Sequence, residues 1–303
     1  MSSTTISSKE LSKHWISYQK HRAENPELYK PRSTGLKTLD KILGGGIEPG
    51  QYVVIGGAQK SGKTTLLSCM TEALAKQGQK ILFLSGEMTN LQMANMFFAR
   101  MARIDRTRIR AINLETDDWV RLERVADKFA QYDIWWNHGF SSITDIDKIV
   151  VEIEEAENIE FDVIVIDYIQ LMEAPEVKSS GNRVTELEYI SRNLKRRTIH
   201  GKPKIIIVAA QLNRASIRGN LYDANSFLGT GSLERDMDIG LIIKSVIDPI
   251  KNTEVKNRRK ISVVGSRETG TSDCEIYYNG VIALVQDMET DLEEKSIDGN
   301  DFS

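Results

Sequence analysis

Cysteine is nearly missing from this 303-residue chain, which holds only Cys69 and Cys274. Two thiols so far apart make no disulfide framework and match no zinc-ligand spacing. Cys69 falls among Leu66, Leu67, Met70 and Leu74, which marks it as a core residue. Long apolar runs are also missing, and none approaches the roughly 20 residues needed to cross a bilayer. The first residues, Met-Ser-Ser-Thr-Thr-Ile, show neither the basic n-region nor the apolar h-region of a secretory leader. We therefore expect a cytoplasmic chain with no membrane partner. A dominant charge is missing too: the formal net charge is −3, so composition alone does not announce nucleic acid. Internal repeats and low-complexity segments are absent ahead of the C-terminal end.

What charge there is lies unevenly. Residues 286–303 carry Asp287, Glu289, Asp291, Glu293, Glu294, Asp298 and Asp301 against Lys295, and read as an acidic, disordered tail. Basic residues cluster at 192–197 and 256–260, leaving a mildly basic body compatible with DNA or RNA. Lys195-Arg196-Arg197, at the end of a predicted helix, reads as dipole complement and solvated surface. A hydrophobic fraction of 40% over this length suits one large α/β domain, or two small ones, with a sizeable core.

Residues 7–24 read as a helix with a Ser7/Glu10 capping box and a stripe of Leu11, Trp15 and Tyr18. Pro26 ends it, and an extended linker follows through Pro31. A lone helix with so narrow a stripe needs a surface to dock on, in its own domain or a neighbouring subunit. From Ser33 helical spacing and buried-strand runs alternate. Strands are expected at 51–56, 80–85, 132–136, 161–167 and 204–210, and helices at 36–43, 63–77, 88–101, 116–131, 143–153 and 184–200, with Thr116 as a cap. Polar segments cover 173–183 and 212–232, and strands 239–247, 258–265, 274–278 and 281–285 follow with short turns. The fold class is α/β: a mostly parallel central sheet flanked by helices, with antiparallel strands near the C-terminus.

The run Tyr52-Val-Val-Ile55 leads directly into Gly57-Ala58-Gln59-Lys60-Ser61-Gly62-Lys63-Thr64, with Thr65 following. This is the spacing of a phosphate-binding loop. Glycines let successive backbone N–H groups turn inward on the β-phosphate, and the helix beginning near Lys63 adds the positive end of its dipole. Lys63 would reach the β- and γ-phosphates, and the Thr64 hydroxyl would ligate Mg²⁺. Ligands of such sheets sit at the C-terminal ends of the strands. Asp167 ends the run Val163-Ile-Val-Ile, placing a carboxylate where Mg²⁺ is held through water. Glu87, just past the second strand, is a candidate base for the attacking water. Gln211, ending another strand, could contact the γ-phosphate and report hydrolysis to the loop that follows. The bland alternatives are a cap or turn for Asp167, helix-end electrostatics for Glu87, and a chance strand-end glutamine.

Five segments in order carry a resemblance: Ser33-Thr-Gly-Leu-Lys-Thr-Leu-Asp40, the phosphate loop, Leu84-Ser-Gly-Glu-Met88, Val163-Ile-Val-Ile-Asp-Tyr-Ile-Gln-Leu-Met172, and Ala210-Gln-Leu-Asn-Arg214. Residues 102–110 and Gly229-Thr-Gly-Ser-Leu-Glu-Arg-Asp-Met-Asp238 agree as well. Residues 33–285 thus resemble the RecA-like P-loop NTPase motor domain of the DnaB family of replicative helicases. The resemblance implies a homo-hexameric ring that translocates 5′ to 3′ on single-stranded DNA, with ATP and Mg²⁺ held between subunits. It implies Glu87 as catalytic base, Gln211 as phosphate sensor and Arg267 as an arginine finger acting in trans. Residues 1–32 would be a docking helix and linker. Primase, a helicase loader or a polymerase are the further partners it suggests.

The sequence departs from the family pattern in two ways. Gly265 stands where the family has a lysine two residues before the finger, unless Arg258, Arg259 or Lys260 substitutes for it. Only about 30 residues precede the motor, so no collar domain is expected, as in compact phage-type helicases; a phage-encoded chain would act in its bacterial host's cytoplasm. DNA contacts are expected from Lys178, Asn182 and Arg183 in one loop, and from Arg214, Arg218, Gly229 and Gly231 in another. Such contacts neutralise phosphates without reading bases. Two other readings stay open: a recombination or repair ATPase of the RecA/RadA class, and a weakly hydrolysing assembly or loader protein.

Overall fold

Side chains that alternate along fully covered strands must be apolar on both faces, and that pattern builds the centre of this molecule. The computed structural model describes residues 5–180, 182–199, 202–213, 216, 223, 226–227, 231–251, 253–266 and 270–288. The strands are β1 (Tyr52–Gly57), β2 (Ile81–Ser85), β3 (Ile134–His138), β4 (Val163–Asp167), β5 (Ile205–Gln211), β6 (Ile239–Ile247), β7 (Glu254–Ser266), β8 (Ser272–Asn279) and β9 (Leu284–Asp287). They form one sheet in the order β3-β2-β4-β5-β1-β6-β7-β8-β9. The pairs from β3 to β6 are parallel, and those from β6 to β9 are antiparallel.

The helices are α1 (Ser8–Glu24), α2 (Pro26–Tyr29), α3 (Lys37–Ile42), α4 (Lys63–Ala75), α5 (Asn90–Ala102), α6 (Arg106–Arg110), α7 (Thr116–Phe129), α8 (Ile143–Glu157), α9 (Arg183–Arg197) and α10 (Gly231–Asp236). One core layer joins Val53 and Ile55 to Leu66, Met70 and Leu74 of α4 and Phe97 of α5. The other joins Tyr52 and Val54 to Ile146 of α8 and Ile190 and Leu194 of α9. Consecutive strand residues therefore serve opposite layers, which is why β1, β4 and β5 read as unbroken apolar runs. Among the described residues, no helix is long and apolar enough to cross a membrane.

Several expectations needed correction. Glu115, not Thr116, is the N-cap of α7: its backbone carbonyl accepts the N–H of Asp118 at 3.0 Å, while the Asp118 carboxylate accepts the N–H of Glu115 at 3.0 Å. Pro26 opens a helix of its own, since a missing N–H costs nothing in a first turn. Helix α6 escaped the sequence reading because it is a single short turn, capped by the Asp105 carboxylate on the Thr107 N–H at 2.6 Å. The polar segment 173–183 contains a 3₁₀ turn at Pro175–Ser180. Gln286 and Asp287, read as the start of the acidic tail, belong to β9; Asp287 accepts the Lys37 and Thr38 N–H groups at 2.8 and 3.0 Å. Lys195 is not merely solvated: it pairs with Asp238, whose carboxylate also accepts the Tyr52 N–H at 2.7 Å. The ion pair thus ties α9 to the start of β1. The capping box of α1 forms as expected, yet α1 has no buried residue, and Leu11, Trp15 and Tyr18 are 56%, 58% and 47% exposed.

Candidate nucleotide site

Sheet register brings the expected residues into one row. Ser85 pairs with Asp167, and Gly57 pairs with Gln211, so the ends of β2, β4, β5 and β1 open side by side. The phosphate loop bridges β1 and α4, with Gly62 at φ 107° as the helix N-cap and Lys60 at φ 63° just before it. Gly57 leaves room that a side chain would fill: a Cβ there would lie 2.3 Å from Ser61 Oγ and 3.0 Å from the Ile243 carbonyl. Lys63 folds back on the loop, donating from Nζ to the carbonyls of Gly57 and Ala58 at 2.8 and 2.9 Å. Ser61 Oγ is buried with no partner among the described residues. A buried orphan hydroxyl, an ammonium bound only to loop carbonyls and a helix N-terminus form a cradle suited to an anion.

Thr64 Oγ1 donates to Asp167 Oδ2 at 2.8 Å, joining the two groups expected to hold the metal. Burial pushes the Asp167 carboxyl up from the usual carboxylate range, opposed by the Thr64 hydroxyl and the Lys63 ammonium, with Glu87 adding to the push. Burial likewise draws Lys63 down from its ordinary value, against the pull of Asp167 and Glu87. A hydroxyl and a buried carboxylate are hard oxygen donors of the kind Mg²⁺ takes, so the residues present fit that ion. Glu87 is exposed at the mouth of the same cleft, a cavity of about 400 Å³ that Gln59, Lys60, Thr65 and Gln211 also line. The N–H of Gly86 bonds the Asp167 carbonyl at 2.8 Å, which locks the segment bearing Glu87 to the tip of β4.

Residues that sequence reasoning missed complete the cleft. The Tyr278 ring lies against Gly62, where a Cβ would approach it to 2.7 Å. Arg259 stands 4.5 Å over that ring, and its Nε donates to the Ser61 carbonyl at 3.3 Å. Arg106, Tyr168 and Met96 line the same cavity. Gln211 is braced from behind, its backbone N–H donating to Gln170 Oε1 at 3.1 Å. Tyr168 and Gln170 fell within the segment ending at Met172, Arg106 within residues 102–110 and Arg259 among the stand-ins for the missing lysine, but nothing in the sequence assigned them to this cleft.

Not every candidate gathers here. Arg183 is exposed but tied down, donating to the carbonyls of Gln170 and Met172 at 2.9 and 2.7 Å and pairing with Glu186. Asn182 caps α9 by accepting the Val184 N–H at 2.9 Å. Lys178 lies in the 3₁₀ turn, and Gly231 opens α10. Arg214, Arg218, Gly229 and Arg267 lie outside the described residues. None of the suggested stand-ins for the family lysine is idle: Arg259 serves its own phosphate loop, Lys260 pairs with Asp273 at 3.3 Å, and Arg258 with Glu275 at 3.3 Å. Gly265 pairs with Gly240 across β7 and β6, and a Cβ at Gly265 would meet the end of Met237 at 2.9 Å.

A phosphate loop after the central strand, with an acid on a nearby strand tip bonded to its threonine, defines a P-loop nucleotide-binding protein. Residues 32–287 match the model of the DnaB-like helicase C terminal domain, and the chain belongs to that family. It is 31% identical over 254 residues to the "Replicative DNA helicase DnaB" of Haemophilus influenzae, covering 82% of this chain and 53% of the relative. The chain thus spans about half the length of the curated relatives it matches. Its fold matches a solved structure described as an ATPase domain, with a TM-score of 0.81 at 18% identity, over 92% of this chain and 99% of that one. It also matches a chain of "The Structure Of A DnaB-Like Replicative Helicase And Its Interactions With Primase" (TM-score 0.78, 18% identity, 91% and 66% covered). The RecA-like architecture read from the motifs is therefore the fold of this chain, and neither alternative reading is favoured.

Proposed function

We propose that this chain is the ATP-hydrolysing motor of a ring-forming replicative DNA helicase, with residues 33–285, completed by Gln286 and Asp287 of β9, as the motor and 1–32 as a docking helix and linker. The observation that carries the reading is the Thr64–Asp167 contact in the strand-end row, beside Lys63 and with Glu87 across the cleft, in a chain of this family. The loop N–H groups and Lys63 would hold the phosphates, with Lys63 exchanging its two carbonyl partners for phosphate oxygens. Thr64 and Asp167 would hold Mg²⁺, which when bound supplies positive charge to the β- and γ-phosphate oxygens. Glu87, exposed and facing the cleft, would take the proton of the attacking water. Gln211 would touch the γ-phosphate. Arg267 would reach into the cleft of the neighbouring subunit, and the exposed stripe of α1 would rest on a neighbour. Single-stranded DNA would pass loops 173–183 and 213–231, with Lys178, Arg214, Arg218 and the backbone near Gly229 and Gly231 as phosphate contacts. Asn182 and Arg183, tied to the structure around them, would shape the first loop. A primase, loader or polymerase would be a partner of the assembled ring.

The test is fork unwinding and single-strand-stimulated ATPase with Glu87→Gln as control. We expect 5′→3′ unwinding, and for E87Q a turnover loss of about 10²–10⁴-fold with nucleotide binding retained. Nucleotide binding without DNA stimulation or unwinding would sink the reading.

A further inference from the structure

Behind α4, away from the phosphate loop, lies a groove of about 620 Å³, larger than the nucleotide cleft. Its floor is apolar, with Leu66, Met70, Ala73, Val125 and Leu284, and its rim carries Lys76, Arg103, Arg124 and Lys128. The acid within it is already neutralised: Glu72 pairs with Arg100 at 2.7 Å and with Lys76 at 2.6 Å. Arg103, Arg124 and Lys128 are exposed and form no ion pair with a described residue. Arg124 and Lys128 stand one turn apart on α7, where like charges repel and weaken the helix. An anion seated between them would relieve that repulsion.

The chain itself delivers one to the groove's edge. Asp287 is pinned on α3 by the Lys37 and Thr38 N–H groups, and Asp287 and Met288 line an adjoining cavity of about 450 Å³ that shares Arg103 and Leu284 with the groove. The next residues are Glu289-Thr-Asp-Leu-Glu-Glu-Lys295, an apolar Leu292 flanked by Asp291, Glu293 and Glu294. From Met288 to Leu292 an extended chain reaches about 14 Å. We propose that the acidic segment 289–303 docks in this groove within its own chain, Leu292 on the apolar floor and its neighbouring acids against Arg103, Arg124 and Lys128. The tether raises the local concentration of the segment to about the millimolar range, so weak attractions suffice. Being exposed, those attractions fall with salt.

Zero-length carbodiimide coupling of the whole chain, mapped by mass spectrometry, tests this by joining carboxylates to lysines. Expected is an amide between segment 289–303 and Lys128 or Lys76 at about 50 mM salt, lost near 1 M, where screening is complete within about 3 Å. Mixed light and heavy isotope-labelled chains should give no mixed product. Leu292→Asp should lower the yield about tenfold without touching the folded domain, and Arg124→Glu with Arg103→Glu should abolish it. Absence of this amide, its survival in L292D and in the Arg variant, mixed-isotope products, or coupling confined to the lysines of α1 would each overturn the proposal.

Discussion

Arg100 shows what one buried charge demands of its surroundings. Its guanidinium donates to Glu72 Oε2 at 2.7 Å, Ser68 Oγ at 2.9 Å, and the carbonyls of Ser68 and Ala283, both at 3.2 Å. The side chain also lies 4.5 Å over Phe97. These bonds pin α4, α5 and the turn before β9 together. Removing Glu72 leaves a buried cation unpaired, so Glu72→Ala should cost about 3–5 kcal/mol, read as a lower urea midpoint. Burial alone would raise the Glu72 carboxyl, but Arg100 and Lys76 overcome it and hold it below its ordinary 4.5. A depressed carboxyl stabilises the fold above its unfolded value and stops doing so as pH falls through the folded one. Wild type should therefore lose more stability than Glu72→Gln on acidification below about pH 4.5. Nothing in the sequence set Arg100 apart from the other arginines of its segment, because its polar partners come from two distant stretches, α4 and the turn before β9.

Among the elements, the strand tips were legible and what braces them was not. Asp167 and Gln211 could be placed because doubly covered strands announce their ends by the first polar residue, and Glu87 because it follows two positions after Ser85, which ends β2 in the same way. The brace behind Gln211 runs through Gln170 to Arg183, and so links the nucleotide row to the first turn of α9 and the base of segment 173–183. Gln170→Ala should leave basal ATPase within about twofold while reducing its stimulation by single-stranded DNA about tenfold, as expected when a two-site coupling of about 1–3 kcal/mol is lost. An equal loss of basal and stimulated rates would instead mark Gln170 as merely structural. Helix α1 is a different case. Its capping box was readable; of its stripe, Tyr18 meets Tyr29 of α2 edge-on at 5.5 Å, while Leu11 and Trp15 are left exposed. Leu11→Ser with Trp15→Ser should leave circular dichroism and the unfolding midpoint unchanged and shift the particle to smaller species in light scattering.

Across the whole molecule, the parallel half was readable and the antiparallel half only in outline. The positions of β6 to β9 could be recognised, but not that they fold back onto the phosphate loop: Arg259 and Ser61 stand 198 positions apart. If catalysis is shared between copies, chains carrying Glu87→Gln and chains carrying Arg267→Ala, each inactive alone, should regain part of the ATPase when mixed, at interfaces holding an intact Glu87 and an intact Arg267. No recovery at any ratio would place both residues in one subunit's site. The β8–β9 hairpin has a role of its own. Tyr278, which rests on Gly62 of the loop, is paired across that hairpin with Val285, which lines the groove behind α4. Nucleotide and groove occupant thus lean on the same pair of strands. Whatever factor one imposes on the other's affinity through them must be returned in full, so the strength of tail docking would serve as a gauge of nucleotide state.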